Sequence, residues 1–392
     1  MPVNRRCFAL AAALALTSCV AGRPRGTGEP AWDAEAFRHL ESLSGDLEAH
    51  VQGLDHPSSG YAVPTAEKAA SFRSLLSSVF TTLDGTVASP ASGDWCAVRN
   101  VAAPAAGYSV RRFHDTCAAG CSNRWFFYAW DSAGSSEAIL IINPYAKRNV
   151  VIEVPHARTF TGSNAEDYTA REGVRLLKAL AARALLINGA TRCASADPSG
   201  CTGTTGQCST ASPPVNEPMR ASDCGHSTTT FFFLAHQALE DRYHPRFVQL
   251  HGKASPLAQA IIGDGTTLDT SEAAVSVTYA NALSGELAAR GQPNTRVDAC
   301  QAAGDPEVSL CGEVNVEGRY TNAPAGSSCT RGTTSSSGRF LHVEQQRTLG
   351  TNLWQAVSGA VAATWPECDL NNGSADCTLG APQVQSPDSP CL

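Results

Sequence analysis

Val150-Val151-Ile152-Glu153-Val154-Pro155-His156 decides how this chain is read. The run is almost continuously apolar, the pattern of a strand buried on both faces in a parallel sheet. Ala138-Ile139-Leu140-Ile141-Ile142 repeats the signal, and Arg124 to Trp130 supplies an aromatic strand before it. Downstream the pattern alternates. Residues 167–184 carry a helical stripe of Val174, Leu177, Leu180 and Ala181, and 184–187 form a short strand. A Cys/Ser/Thr/Pro-rich loop covers 191–226. Helix is expected at 228–240, strand at 246–251, helix at 271–290, strand at 338–344 and a closing helix at 353–365. Strands alternating with helices predict an α/β fold with a mixed, largely parallel sheet flanked by helices.

Outward from that core the chain divides. Basic Met1 to Arg6 and the apolar run Cys7 to Leu16 read as an export signal, too short to span a bilayer. Leu16-Thr17-Ser18-Cys19 has the form of a bacterial lipobox, which makes residues 1–18 the signal peptide and Cys19 the lipidated residue. Ordinary cleavage near Ala21 is the alternative, and Arg5-Arg6 also admits the twin-arginine route. Val20 after the lipid cysteine favours the outer membrane. Residues 19–30 form a tether, 31–90 an N-terminal helical appendage, 91–365 the catalytic domain and 366–392 a cysteine-containing tail. Beyond Cys7 and Cys19 stand 13 cysteines, an odd number, so one thiol at least has no intrachain partner. An oxidising compartment predicts disulfides for most of the others, with Cys300/Cys311 and Cys368/Cys377 the nearest pairs. Cys117 and Cys121 lack the second pair that structural zinc requires. A net charge of −7 argues against nucleic acid as a partner.

Ligands of open α/β sheets bind beyond the carboxyl ends of the strands. His156, His251 and Glu344 stand at the ends of three apolar runs. Imidazole nitrogen and carboxylate oxygen are zinc donors, and a hydrolytic site leaves one position for water. The carboxylate completing the set is expected just after His156, at Glu166 or Asp167. Asp167, at a first helical turn, is taken here, with helix capping as its other role. No GxSxG is present, so a nucleophile-elbow serine hydrolase has no support.

The order of these motifs resembles the N-formylglutamate amidohydrolase family and, more remotely, the zinc carboxypeptidase/aspartoacylase group. The resemblance spans roughly residues 149 to 350. It rests on Val154-Pro155-His156, Glu166-Asp167, the strand leading to Arg192, His236, Gln249-Leu250-His251-Gly252, Ile262-Gly263-Asp264, Gly318 to Asn322, and His342-Val343-Glu344. Gln249 stands where the family has Asp, and Thr159 where carboxypeptidases have Glu. The resemblance implies a phosphorylase/hydrolase-like fold and one catalytic Zn²⁺ held by His156, Asp167 and His251. It makes Glu344 the general base. Arg192 and Arg319 are candidates for gripping a substrate carboxylate, with Asn322 beside them. Asp223 and His226 would orient a ligand, His226 being also the replacement ligand. The expected protein is an envelope hydrolase of small amide or peptide substrates, touching the membrane through its lipid alone. The alternative is a non-catalytic lipoprotein, a binding or structural module on the same scaffold.

Overall fold

In a computed structural model of the chain, the apolar runs form the middle of a ten-stranded mixed sheet. The structure describes residues 43–52, 60–88, 107–115, 124–131, 138–143, 146–157, 166–253, 258–266, 274–300, 310–323 and 328–367. The signal, tether, Cys19, C-terminal tail, Cys117/Cys121 and Cys368/Cys377 lie outside the described residues. The strands are β1 (Leu43–Gly45), β2 (Tyr108–Asp115), β3 (Arg124–Asp131), β4 (Ile139–Ile142), β5 (Arg148–Val154), β6 (Ala182–Ile187), β7 (Thr204–Thr205), β8 (Glu217–Pro218), β9 (Arg246–Gly252), β10 (Ala260–Gly263), β11 (Val297–Ala299) and β12 (Phe340–Gln345). β7 and β8 form a separate ribbon, and the large sheet runs β1-β2-β3-β4-β6-β5-β9-β12-β10-β11. Its centre, β6-β5-β9-β12, is parallel. The neighbours β4 and β10 join that centre antiparallel, which makes the sheet mixed.

The helices are α1 (Leu47–Gln52), α2 (Ala66–Ala88), α3 (Thr169–Ala179), α4 (Phe231–Tyr243), α5 (Val275–Ala289), α6 (Val316–Asn322), α7 (Arg347–Asn352) and α8 (Trp354–Thr364). They cover both faces. On one, Val174 and Leu177 of α3, Leu283 of α5 and Val357 of α8 bury Ile152, Leu185, Val248 and Leu341. On the other, Phe231, Leu234 and Leu239 of α4 meet Val151, Leu186, Phe247 and Phe340. Phe72, Leu76 and Phe80 of α2 belong to this second core, so α2 packs onto the sheet domain.

One expected boundary moves, and elements not expected from the sequence appear. The helix expected at 167–184 ends at Ala179, because Ala181 takes a left-handed conformation (φ 45°) that turns the chain straight into β6. The closing helix expected at 353–365 is α8 (Trp354–Thr364), and a short helix not expected from the sequence, α7, precedes it. Strand β10 (Ala260–Gly263) was not expected from the sequence. Gly263 there lies so close to Cys311 that a Cβ would sit 2.0 Å from its carbonyl oxygen.

Among the described residues three disulfides are formed: Cys193–Cys208, Cys201–Cys329 and Cys300–Cys311. Cys224 is a buried free thiol. Cys201–Cys329 closes 128 residues and ties the 191–226 loop to the segment before β12. Replacing both cysteines by alanine is expected to cost about 3 kcal/mol, chiefly by freeing the unfolded chain. Denaturant unfolding measures it, and an unchanged midpoint would refute the stapling role.

Candidate metal centre

Chain direction builds the site. β5 returns through α3, on one face, to β6; β6 returns through α4, on the other face, to β9. The connections diverge where β5 and β9 lie side by side, and a crevice opens beyond their carboxyl ends. His156 stands two residues past β5, and His251 lies in the last residues of β9.

Register does the rest. Glu153 and His342 both pair with Gln249, and Glu344 pairs with His251. Side chains two apart along a strand share a face. Glu153, Gln249, His251, His342 and Glu344 therefore project together on the α4 side. Below them that face is apolar, through Val151, Phe247 and Phe340.

His251 is the hub. One donor atom each from His251, His342 and Glu344 falls within 4.8 Å of the others, and all three residues are buried. His251 Nδ1 lies 4.0 Å from Glu344 Oε1 and 3.9 Å from Glu166 Oε2. His342 Nε2 lies 3.9 Å from Glu344 Oε1. The His251 ring stands 5.2 Å from that of His156 and 4.2 Å from that of His342, centroid to centroid. Tetrahedral zinc with bonds near 2 Å sets its donors roughly 3.3 Å apart, so small rotamer shifts close these gaps. The site also holds buried polar atoms without hydrogen-bond partners among the described residues: His156 Nδ1, Arg192 Nε and Asp223 Oδ2. A buried cluster of that kind needs a partner from outside the chain, and its nitrogens and oxygens suit a divalent cation and a polar substrate.

The surroundings are ordered. Glu166 accepts from Arg192 Nη2 at 2.8 Å and from the Gly252 amide at 2.9 Å. Asp223 stands between two imidazoles, 3.6 Å from His156 Nε2 and 3.2 Å from His226 Nδ1. Gln249 Oε1 lies 2.9 Å from His251 Nε2. The Glu344 side chain, by contrast, takes part in no hydrogen bond among the described residues and lies within 4.0 Å of the His251 and His342 rings.

Of the residues singled out from the sequence, the fold gathers His156, His251, Glu344, Arg192, Asp223 and His226. It does not gather three others. Asp167 points to solvent and is gripped by both terminal nitrogens of Arg347, at 2.6 and 3.3 Å. Its neighbour Glu166 turns inward instead and is 4% exposed. Arg319 spends its donors on the Glu313 and Ser328 carbonyls and on Thr202. Asn322 bonds the Asp264 carbonyl and the Ser337 amide. These two hold loops. The sequence reading passed over His342 and Gln249 as site residues. The period-two pattern through Phe340, His342 and Glu344 was the available signal for the first, and the position two residues before His251 for the second.

Burial sets the protonation states. It pushes His156 and His251 well below the ordinary imidazole range, with help from Arg192 at His156 and from His342 at His251. Burial, then the charge of His226, takes His342 down to about 3. Burial raises Glu166 to about 7 against the opposing charge of Arg192, and it raises Glu344 well above the carboxylate range, helped by Glu166. Burial alone would raise Asp223, but His226, His156 and Arg192 outweigh it and hold the group ionised. The imidazoles thus have no proton to shed to a metal, whereas Glu166 has one below pH about 7. Divalent-cation affinity is expected to rise about tenfold per pH unit from pH 5.5 to 7, then flatten, with about one proton released per ion. Competition with a chelator at fixed pH values measures this, and a flat profile would exclude Glu166 from the ligands.

No family model, curated protein or solved structure matches the chain in comparisons with all three.

Proposed function

We propose that the protein is a zinc-dependent hydrolase of amide or peptide bonds in small carboxylate-bearing substrates. On this reading it is built on a phosphorylase/hydrolase-like scaffold and exported to the cell envelope as a lipoprotein. The buried donor cluster around His251 Nδ1, at the reversal point of the sheet, is the observation that carries the reading.

Second-sphere contacts apportion the roles, since metal ligands are held from behind. His156 has Asp223 at its Nε2 side, His251 has Gln249 at its Nε2, and Glu166 has Arg192 and the Gly252 amide. Those three are the ligand set, through Nδ1, Nδ1 and a Glu166 oxygen. Glu344, unanchored and with a raised proton affinity, is the general base. Zinc at such a site supplies a Lewis acid for the scissile carbonyl and lowers the pKa of a water to about 7. Glu344 would take the proton of the attacking water and deliver it to the leaving nitrogen. Arg192 keeps its Nε for a substrate oxygen.

A second ligand set, His251, His342 and Glu344, is favoured by the single observation that its donor atoms are the closest grouped. Elemental analysis of tag-free protein should find close to one zinc per chain, and a screen of formylated and acylated amino acids and dipeptides should find turnover. Absence of zinc, with no thermal stabilisation when zinc is added, would favour the non-catalytic module. His342→Ala separates the two ligand sets: zinc stays if His156, Glu166 and His251 hold it, and is lost if His342 does.

A further inference from the structure

We infer that Gln249 is a positioning residue that fixes which ring nitrogen of His251 faces the cation. The inference rests on His251 being a metal ligand, and the logic begins at a backbone group whose role is not in question. The Gly318 amide can only donate, and it bonds Asn315 Oδ1 at 2.9 Å in the N-cap of α6. That contact settles the Asn315 amide, so the end facing Gln249 is Nδ2, a donor. Asn315 Nδ2 reaches Gln249 Oε1. The Gln249 amide is settled in turn. Its Nε2 faces two carboxyl oxygens, Glu153 Oε2 at 3.1 Å and Glu317 Oε2 at 3.4 Å.

Gln249 Oε1 is therefore the atom 2.9 Å from His251 Nε2. An amide oxygen only accepts, so the hydrogen sits on His251 Nε2. A neutral imidazole carries one such hydrogen, which leaves the lone pair on Nδ1. Nδ1 is the atom that faces Glu166 and Glu344.

The arrangement resists reversal. A flipped Gln249 would oppose its NH₂ to that of Asn315 and its oxygen to Glu153 and Glu317. Glu153 is itself held, with Oε1 2.8 Å from His236 Nδ1, and His236 Nε2 lies 3.1 Å from Thr321 Oγ1. Glu153, His236, Gln249, Glu317, Asn315 and Thr321 are all buried. This hydrogen-bonded layer sits beneath the site, takes no part in the proposed chemistry, and ends on one ring nitrogen. Because Gln249 is an amide, it orients His251 without adding a negative charge behind it.

The test uses full-length, metal-free protein with nitrogen-15 histidine. A long-range proton–nitrogen correlation spectrum reports each ring's tautomer, and the His251 signals are identified by their loss in His251→Ala. The Nε2–H pattern is expected for His251. An Nδ1–H pattern, or a rapidly averaged one, overturns the inference. Since no zinc is present, this result stands apart from the metal reading: an Nε2–H ring in a protein that binds no zinc leaves the tautomer assignment standing and removes only the ligand role. Gln249→Leu is expected to mix the His251 tautomers, leave the His156 pattern unchanged and weaken zinc binding about 10- to 100-fold. An unmoved His251 tautomer in that variant means Gln249 is merely structural. Should the variant not fold, the wild-type spectrum alone still decides.

Discussion

His251→Ala is expected to abolish zinc binding, lowering affinity more than about 100-fold and leaving far less than one ion per chain. Both proposed ligand sets include His251, whose Nδ1 lies about 4 Å from both Glu166 and Glu344. Loss of the ring removes the hub as well as a ligand. The surviving carboxyls are no substitute, because burial favours their protonated forms. Stability separates this outcome from misfolding. Metal-free His251→Ala loses one side-chain hydrogen bond, to Gln249, and the packing of a ring between His156 and His342. That should cost a few kcal/mol in a sheet whose apolar core is untouched. Zinc at 100 times its dissociation constant should stabilise the wild-type protein by about 2.7 kcal/mol and the variant by nothing. Stoichiometric zinc in a folded His251→Ala protein would end the proposal.

The gathering of these groups was partly legible because it depends on strands. An apolar run that ends on a polar residue marks a carboxyl edge, and this located His156, His251 and Glu344 without a structure. The residues that failed lie where no period applies. Glu166 and Asp167 are adjacent in a turn, and only the turn's geometry decides that Glu166 goes inward while Asp167 goes to Arg347. Arg319 and Asn322 sit in a short segment read as substrate-facing. Asn315 caps it into a helix, α6, and the two side chains are consumed by neighbouring loops. β10 was hidden for a related reason. Four residues ending in glycine carry no strand period, and antiparallel pairing with β12, beside a disulfide-closed loop, makes the segment a strand. Gln249 looked like a departure from a familiar pattern. Its meaning emerges only from the Asn315 and Gly318 contacts, far away in sequence.

Glu344→Gln is expected to keep close to one zinc per chain while turnover falls about 10²- to 10⁴-fold, the range for loss of a general base. The substitution is nearly isosteric and removes only the capacity to take a proton. Folding should tolerate it well. Glu344 makes no hydrogen bond among the described residues that an amide would break, and its burial already favours an uncharged side chain. The pH profile adds a second reading. In the wild-type protein the base must be ionised, and burial raises its affinity for a proton, so activity should climb with pH above the ordinary carboxylate range as Glu344 deprotonates. That limb should vanish from the residual activity of Glu344→Gln, leaving the limb set by metal occupancy. Zinc loss in a folded Glu344→Gln protein would instead place this carboxylate among the ligands with His251 and His342. Full activity would remove Glu344 from the chemistry altogether, and with it the one carboxyl facing His251 that makes no side-chain hydrogen bond among the described residues.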